Sequence, residues 1–380
     1  MRPALKAGLR PLWRDRDTLQ IGVDPRRAAA LTGLGNAAAI VPLLDGSRDD
    51  AAVVRAAHGY GVPPAATRRV LDLLAMAGVL DDFPTALHKS LPGPQRARLA
   101  PELACASLAY GDSDGGAGTI MRRRAAFVRV YGAGRVGSCV ATFLAASGVG
   151  RVSCHDSGEA GYADLSPAGL TREDIGAPRS SGAARAIRRA APEAWVADDD
   201  TRRPHLAVLA GPADPQAAAS LARAGIPHLA TRAEEAIGIV GPLVVPGDSA
   251  CLRCLDLTKA ARDPAWPLIL AQRSDRAARL DPPAQACDTV LAAATAALAA
   301  AQALAFLDRA HAATLNGTLE LVLPDWQWRR RTWRPNPACT CRAADNADHA
   351  DHADNVGNTD IRSNRRTVVE EALGGGIGYV

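Results

Sequence analysis

The 380 residues are enough for two domains, each with a core of its own, and 48% hydrophobic with 22% charged residues is ordinary globular composition. A net charge of +4 spread over this length gives no argument for nucleic acid, and the runs Arg122–Arg124 and Arg329–Arg331 are expected to be solvated faces. Only three of the 44 basic residues are lysine (Lys6, Lys89, Lys259), so arginine can stand where a relative would carry lysine.

Residues 1–85 are expected to form one unit, a small hairpin followed by three helices, which is the composition of a winged-helix-like α+β domain. "LWRDRDTLQIGVD" (Leu12–Asp24) has strand-like stretches on either side of a turn. Helices are expected around "NAAAIVPLLDG", after Ser47, and at "PPAATRRVLDLLAMAGVLDD". Asp49 and Asp50 suit the start of the second, and Gly59 and Gly61 its end. Residues 86–125 are expected to be linker and helix, with Pro84–Pro94 as the linker and a helical pattern around Glu102–Tyr110.

From 126 to 342 strands alternate with helices. Strands are expected at Val128–Tyr131, Arg151–His155, Leu206–Leu209 and Leu243–Val245, with helices at Val136–Ala146, Ser180–Ala191 and Gln216–Ala224. This alternation predicts a Rossmann-like α/β domain with a mainly parallel sheet. Thr289–Leu307 carries no charge over 19 residues, but its Ala, Thr and Gln are weakly apolar, so it is expected to be a buried helix rather than a membrane span. "MRPALKAGLRPLWRD" has no apolar core of a signal peptide, and a cytoplasmic location without membrane association is the expectation. Residues 343–380, which include the low-complexity repeat "DNADHADHADN" (Asp345–Asn355), are expected to be a disordered tail.

Two constellations carry chemistry. Gly132, Gly134 and Gly137 form G-x-G-x-x-G between a strand and a helix. There the first glycine permits a tight turn, the second lets backbone approach a phosphate, and the third lets helix pack closely on strand. Asp156 closes the next strand, about where an acid accepts from ribose hydroxyls; a mononucleotide and a dinucleotide both fit. The second constellation is Cys251 and Cys254 ("CLRC") with Cys339 and Cys341 ("CTC"). Four thiolates complete a tetrahedral site and leave no position for water, which predicts a structural zinc. Cys105, Cys139, Cys154 and Cys287 have no partner spacing and are expected to be buried as small hydrophobes.

The glycine turn, Asp156, "DIGAPR" (Asp174–Arg179) and "GPLVVPGDSACLRC" (Gly241–Cys254) occur in the order of the ThiF/MoeB-type, ubiquitin-activating-enzyme-like superfamily, which the chain resembles over roughly 125–342. The resemblance implies ATP over the glycine turn, adenylation of the C-terminal carboxylate of a peptide or small protein, a four-cysteine zinc and, often, a homodimer. By this resemblance Gly132, Gly134 and Gly137 hold phosphate and Asp156 holds ribose, while Arg179 takes the place of the phosphate lysine. Asp214 is displaced by one from the magnesium-binding acid expected after "LAVLA". An Asn-x-x-Arg pair should lie between Asp156 and Asp174, and none is there; Arg172 is the only basic candidate and its spacing is wrong.

A small hairpin-and-helix unit before such a domain also resembles the leader-peptide-binding proteins of azole/azoline ribosomal-peptide pathways. There the leader adds as a strand and a separate cyclodehydratase does the ATP chemistry. Leu12–Val23 would offer the edge. Two functions therefore compete: a peptide-binding component with a degenerate nucleotide site, and an active adenylyltransferase with Arg179 on the triphosphate, Asp214 on magnesium and Asp156 on ribose. A nicotinamide-dependent oxidoreductase is a third, against which the cysteines and "DIGAPR" speak.

Overall fold

The computed structural model describes residues 1–196, 201–211, 215–277 and 286–342. Asp214 and the segment 343–380 lie outside the described residues. The chain forms two compact units, Met1–Met121 and a second that begins at Arg122.

In the first unit β1 (Pro3–Leu5) pairs antiparallel with β5 (Leu80–Asp82). A separate antiparallel sheet has the order β2 (Pro11–Trp13), β3 (Leu19–Ile21), β4 (Ala29–Leu31). The first expected helix is a 3-10 segment, Gly35–Leu43, with Pro42 inside it. α1 (Asp50–Gly59) starts as its sequence predicts, because the Asp49 side chain accepts from the Ala52 N–H at 2.7 Å. α2 (Pro64–Met76) buries Val70, Leu71 and Leu74 on one face, against Leu19, Ile21 and Ile40.

Pro84–Pro94 is not a plain linker. Thr85 caps α3 (Ala86–Ser90), and Leu87 and Leu91 are buried with Leu99 and Leu103 of α4 (Gly93–Tyr110). Buried Lys6 ties the two-stranded sheet to α4: its Nζ donates to Asp81 Oδ1 at 2.9 Å and to Ser107 Oγ at 2.8 Å. The chain passes into the second unit within α5 (Ala117–Ala125).

The second unit is built on a seven-stranded sheet. In chain order its elements are β6 (Phe127–Tyr131), α6 (Gly137–Ala146), β7 (Arg151–His155), α7 (Arg179–Ala190), β8 (Leu206–Ala210), α8 (Pro215–Arg223), β9 (His228–Glu234) and β10 (Ile237–Val244). There follow α9 (Leu252–Ala260), α10 (Trp266–Ala277), α11 (Thr289–Leu307), β11 (Gly317–Val322) and β12 (Gln327–Thr332). The strand order is β12-β11-β10-β9-β8-β6-β7. β7, β6, β8 and β9 are parallel, as the strand–helix alternation predicts, and β10, β11 and β12 continue the sheet antiparallel.

α11 is long and apolar enough to cross a membrane by length and composition. In the fold its Ala296, Ala299 and Ala303 are buried in one cluster with Val140 and Leu144 of α6 and Val128 and Val130 of β6. Alanine on both helices lets their backbones approach the sheet closely, which explains why aromatics are scarce in this core. Arg123 also differs from expectation. It is buried, and its Nε and Nη2 clasp the carboxylate of buried Asp308 at 3.0 and 2.7 Å.

Candidate functional site

β7 lies on one side of β6 and β8 on the other, so the strand order reverses beside the carboxyl end of β6. In open α/β sheets ligands bind at that crevice. The glycine turn stands there. Gly132 has φ +91°, and a Cβ on it would run into the carbonyl oxygen of Ala210 at the end of β8. A Cβ on Gly137 would run into the carbonyl oxygen of Gly132. These two glycines therefore serve the turn and the helix packing. Gly134 has more room, and the atom nearest its missing Cβ is Asp164 Oδ1 at 3.2 Å.

Asp156 is where the sequence puts it, at the end of β7, but both its oxygens are engaged by backbone. Oδ2 accepts from the Ala133 N–H at 2.7 Å and Oδ1 from the Gly158 N–H at 2.8 Å. Arg179, the first residue of α7, is brought to the same place: its Nη1 is 3.6 Å from Asp156 Oδ1 and its Nε donates to Asp164 Oδ2 at 2.8 Å. Burial alone would lower the Arg179 pKa, but Asp164 and Asp156 more than offset it and hold the guanidinium firmly charged. An open cleft of about 540 Å³ lies alongside, lined by His155, Asp156 and Ser157.

Asp164 and Arg135 are the residues that sequence reasoning missed. Arg135 sits inside the glycine turn and donates from Nε to the Ala163 carbonyl at 2.9 Å and from Nη1 to the Cys287 carbonyl at 3.0 Å. It thereby pins the short 3-10 turn Tyr162–Asp164 against the glycines. The arginine within G-A-G-R-V-G was a visible signal; a lone aspartate in an aperiodic loop was not. Arg172 is exposed on its own 3-10 turn, whose end residue Asp174 is fully buried. Burial pushes the Asp174 carboxyl up, but the Thr171 N–H at 2.7 Å and Arg185 Nε at 2.7 Å more than offset this and hold it below its usual range. Asp174 thus orients α7, and with it Arg179.

The four predicted cysteines do come together. Cys251 is the N-cap of α9, Cys254 lies in its first turn, and Cys339 and Cys341 arrive after β12. Sγ–Sγ distances are 3.7 Å for Cys251–Cys254, 3.6 Å for Cys251–Cys339 and 3.5 Å for Cys254–Cys341, and all four sulfurs lie within 4.8 Å of one another. A zinc ion at about 2.3 Å from four sulfurs would set them about 3.8 Å apart, so the residues fit that ion. Burial and the neighbouring thiols push the Cys251 thiol up to about 11, while for Cys254 burial is outweighed by hydrogen bonds from the backbone of Asn336 and Cys251 and from the neighbouring thiols, which hold it below its ordinary value. Cys139, Cys154 and Cys287 are buried as expected, and Cys105 is exposed instead.

A Rossmann-like sheet thus carries a glycine turn at its switch point and a four-cysteine cluster beyond it. Residues 115–207 match the ThiF family model, and the chain carries a ThiF family domain. Among solved structures it is similar to Escherichia coli MccB with AMPCPP and selenomethionine MccA (16% identity, 90% of this chain and 99% of that one, TM-score 0.66). It is also similar to the microcin C7 biosynthetic enzyme MccB with N-formylated MccA (17%, 90% and 100%, TM-score 0.65). A third similar structure is selenomethionine PaaA (16%, 87% and 99%, TM-score 0.63). At these identities the likeness concerns the fold. No curated protein matches the sequence.

Proposed function

We propose that this chain is a ThiF-type component of peptide maturation that binds a peptide through its N-terminal unit and whose nucleotide site is closed by its own carboxylates. The observation that carries the proposal is Asp164, whose Oδ1 lies 3.2 Å from the Cβ position of Gly134, the glycine whose missing side chain would let backbone approach a phosphate. A carboxylate there repels an anion, and the cation that should attract one, Arg179, is shared between Asp164 and Asp156. Phosphoryl and adenylyl transfer depend on cations opposing developing charge. The similarity to MccB in complex with MccA supports a peptide as partner. In this proposal a separate cyclodehydratase carries the ATP chemistry, and zinc in the four-cysteine cluster is structural.

The strand that receives the peptide is β4 rather than Leu12–Val23. β3 is paired on both sides and is not an edge. On β2 the backbone bonds Arg14 N to Thr18 O and Gly22 N to Arg10 O set the alternation, which turns Pro11 and Trp13 outward, and Pro11 has no N–H to give. The same alternation carried across β3 leaves Ala30 of β4 with both its N–H and C=O directed outward, with no proline nearby to block a new strand.

Magnesium-ATP titrated into the zinc-loaded protein by calorimetry tests the closed site. Silence at millimolar nucleotide supports it. Micromolar binding overturns it and favours the second function, adenylyl transfer to a peptide carboxylate, for which the placement of Arg179 beside the glycine turn and the cleft at Asp156 speak. Asp214 on magnesium belongs to that second function.

A further inference from the structure

A groove of about 260 Å³ in the first unit, remote in sequence from the glycine turn and from β4, runs between α4 and β1. Arg96, Ala100, Leu103 and Ala104 share one face of α4 by their helical spacing, and the two alanines leave the space that larger side chains would fill. Its floor is apolar, with Leu5, Leu44 and Leu103. Its polar lining is Asp45, Asp81, His88 and Arg96, and these groups do not balance.

Asp81 is already answered by Lys6 and by Ser107 Oγ at 2.9 Å, so it offers no free charge. Asp45 at the rim holds the Ser47 N–H at 2.8 Å and faces Arg48 at 3.5 Å. What is left over is cationic or a donor. Arg96 spends one N–H on the His88 carbonyl at 3.2 Å and keeps the rest. His88 is buried, and its Nδ1 meets Thr85 Oγ1 at 2.6 Å. Thr85 Oγ1 also accepts from the His88 backbone N–H at 3.4 Å; in the tautomer where its hydroxyl donates to Nδ1, the ring proton sits on Nε2. Among the described residues Nε2 has no hydrogen-bond partner. Burial holds His88 below its ordinary pKa, with Asp114 and Asp81 acting against this and Arg96 with it, which favours the neutral imidazole.

We infer that this groove is a binding site for a small apolar monocarboxylate, with an aromatic or branched body on the leucine floor and the carboxylate between Arg96 and His88 Nε2–H. The Phe83 ring, edge-on to His88 at 4.4 Å and 72°, gives an aromatic body a ring to pack on. The volume lies just below the usual range for drug-sized ligands, which suits a molecule about as large as one amino acid.

The test uses the full chain and two probes of equal shape, phenylacetate and 2-phenylethanol, titrated by calorimetry and by amide-resonance shifts. Phenylacetate should bind saturably at the groove, and the alcohol about tenfold or more weaker, as a charge-assisted pair requires. Arg96→Gln, an exposed position whose change leaves the melting temperature in place, should bring phenylacetate down to the level of the alcohol. Ala104→Leu, which fills the groove, should remove both. Equal affinities in the unaltered protein, phenylacetate binding that survives Ala104→Leu, or no binding of either probe at millimolar concentration would each overturn the inference. None of these results depends on whether ATP binds the second unit.

Discussion

Asp164→Ala should open the nucleotide site. The substitution removes the carboxylate 3.2 Å from the Gly134 Cβ position and releases the Arg179 Nε that it holds at 2.8 Å. A unit charge about 4 Å from a phosphate charge is worth about 4 kcal/mol at an effective dielectric near 20. Arg179 and Asp164 are 32% and 15% exposed, so solvent screens part of this. The net gain for an anion at the turn is then about 1–3 kcal/mol, or about 5- to 150-fold in Kd. Calorimetric titration of magnesium-ATP into the unaltered protein, Asp164→Ala and Asp164→Asn reads it directly. Both variants should gain, because both lose the charge, and Arg179→Ala placed on the Asp164→Ala background should lose the gain again. If the unaltered protein binds ATP as tightly as either variant, the carboxylate does not guard the turn and the argument fails.

Three further outcomes follow from other parts of the fold. Chelation of the metal, or Cys254→Ser, should lower the melting temperature of the second unit cooperatively, with one zinc per chain measured by elemental analysis before and none after; a melt indifferent to chelation refutes a structural ion. Asp308→Asn leaves Arg123 buried against a neutral partner and should cost about 3–5 kcal/mol in urea unfolding, since half of a buried pair is worse than none. Thr295→Val removes a fully buried hydroxyl with no hydrogen-bond partner among the described residues and should stabilise by about 1 kcal/mol in the same assay, with no change in slope.

The parallel half of the sheet was legible because its signals are local. Val128–Tyr131 is a short β-branched and aromatic run ending on a glycine that only a turn of positive φ requires, and the next strand ends on Asp156. The cysteines were legible because their C-x-x-C and C-x-C spacings set the two pairs apart from the other four. β12 was not, since "QWRRRT" is exposed along its length and shows no alternation between a buried and a solvated face. α3 was hidden by prolines on both sides of a five-residue helix, although Thr85 was there to cap it. The contact between Asp164 and Arg179, on which the proposed closure of the nucleotide site rests, was the least legible part. The two residues are 15 apart in sequence and meet because α7 is placed by the Arg179 N–H on the Gly158 carbonyl and by Arg185 on Asp174.

The cysteine cluster also changes what the unfolded chain can do. Cys251 and Cys339 are 88 residues apart, and the span between them contains α9, α10, α11, β11 and β12. An ion bridging them closes a loop that restrains the denatured ensemble by about 4–5 kcal/mol, by the same chain-entropy reasoning that applies to a disulfide of that reach. The end of the sheet is then tethered before its strands have paired, and β11 and β12 search for register within a ring rather than on a free end. A supply of metal during synthesis would thus bear on the yield of folded protein as well as on the stability of protein already folded.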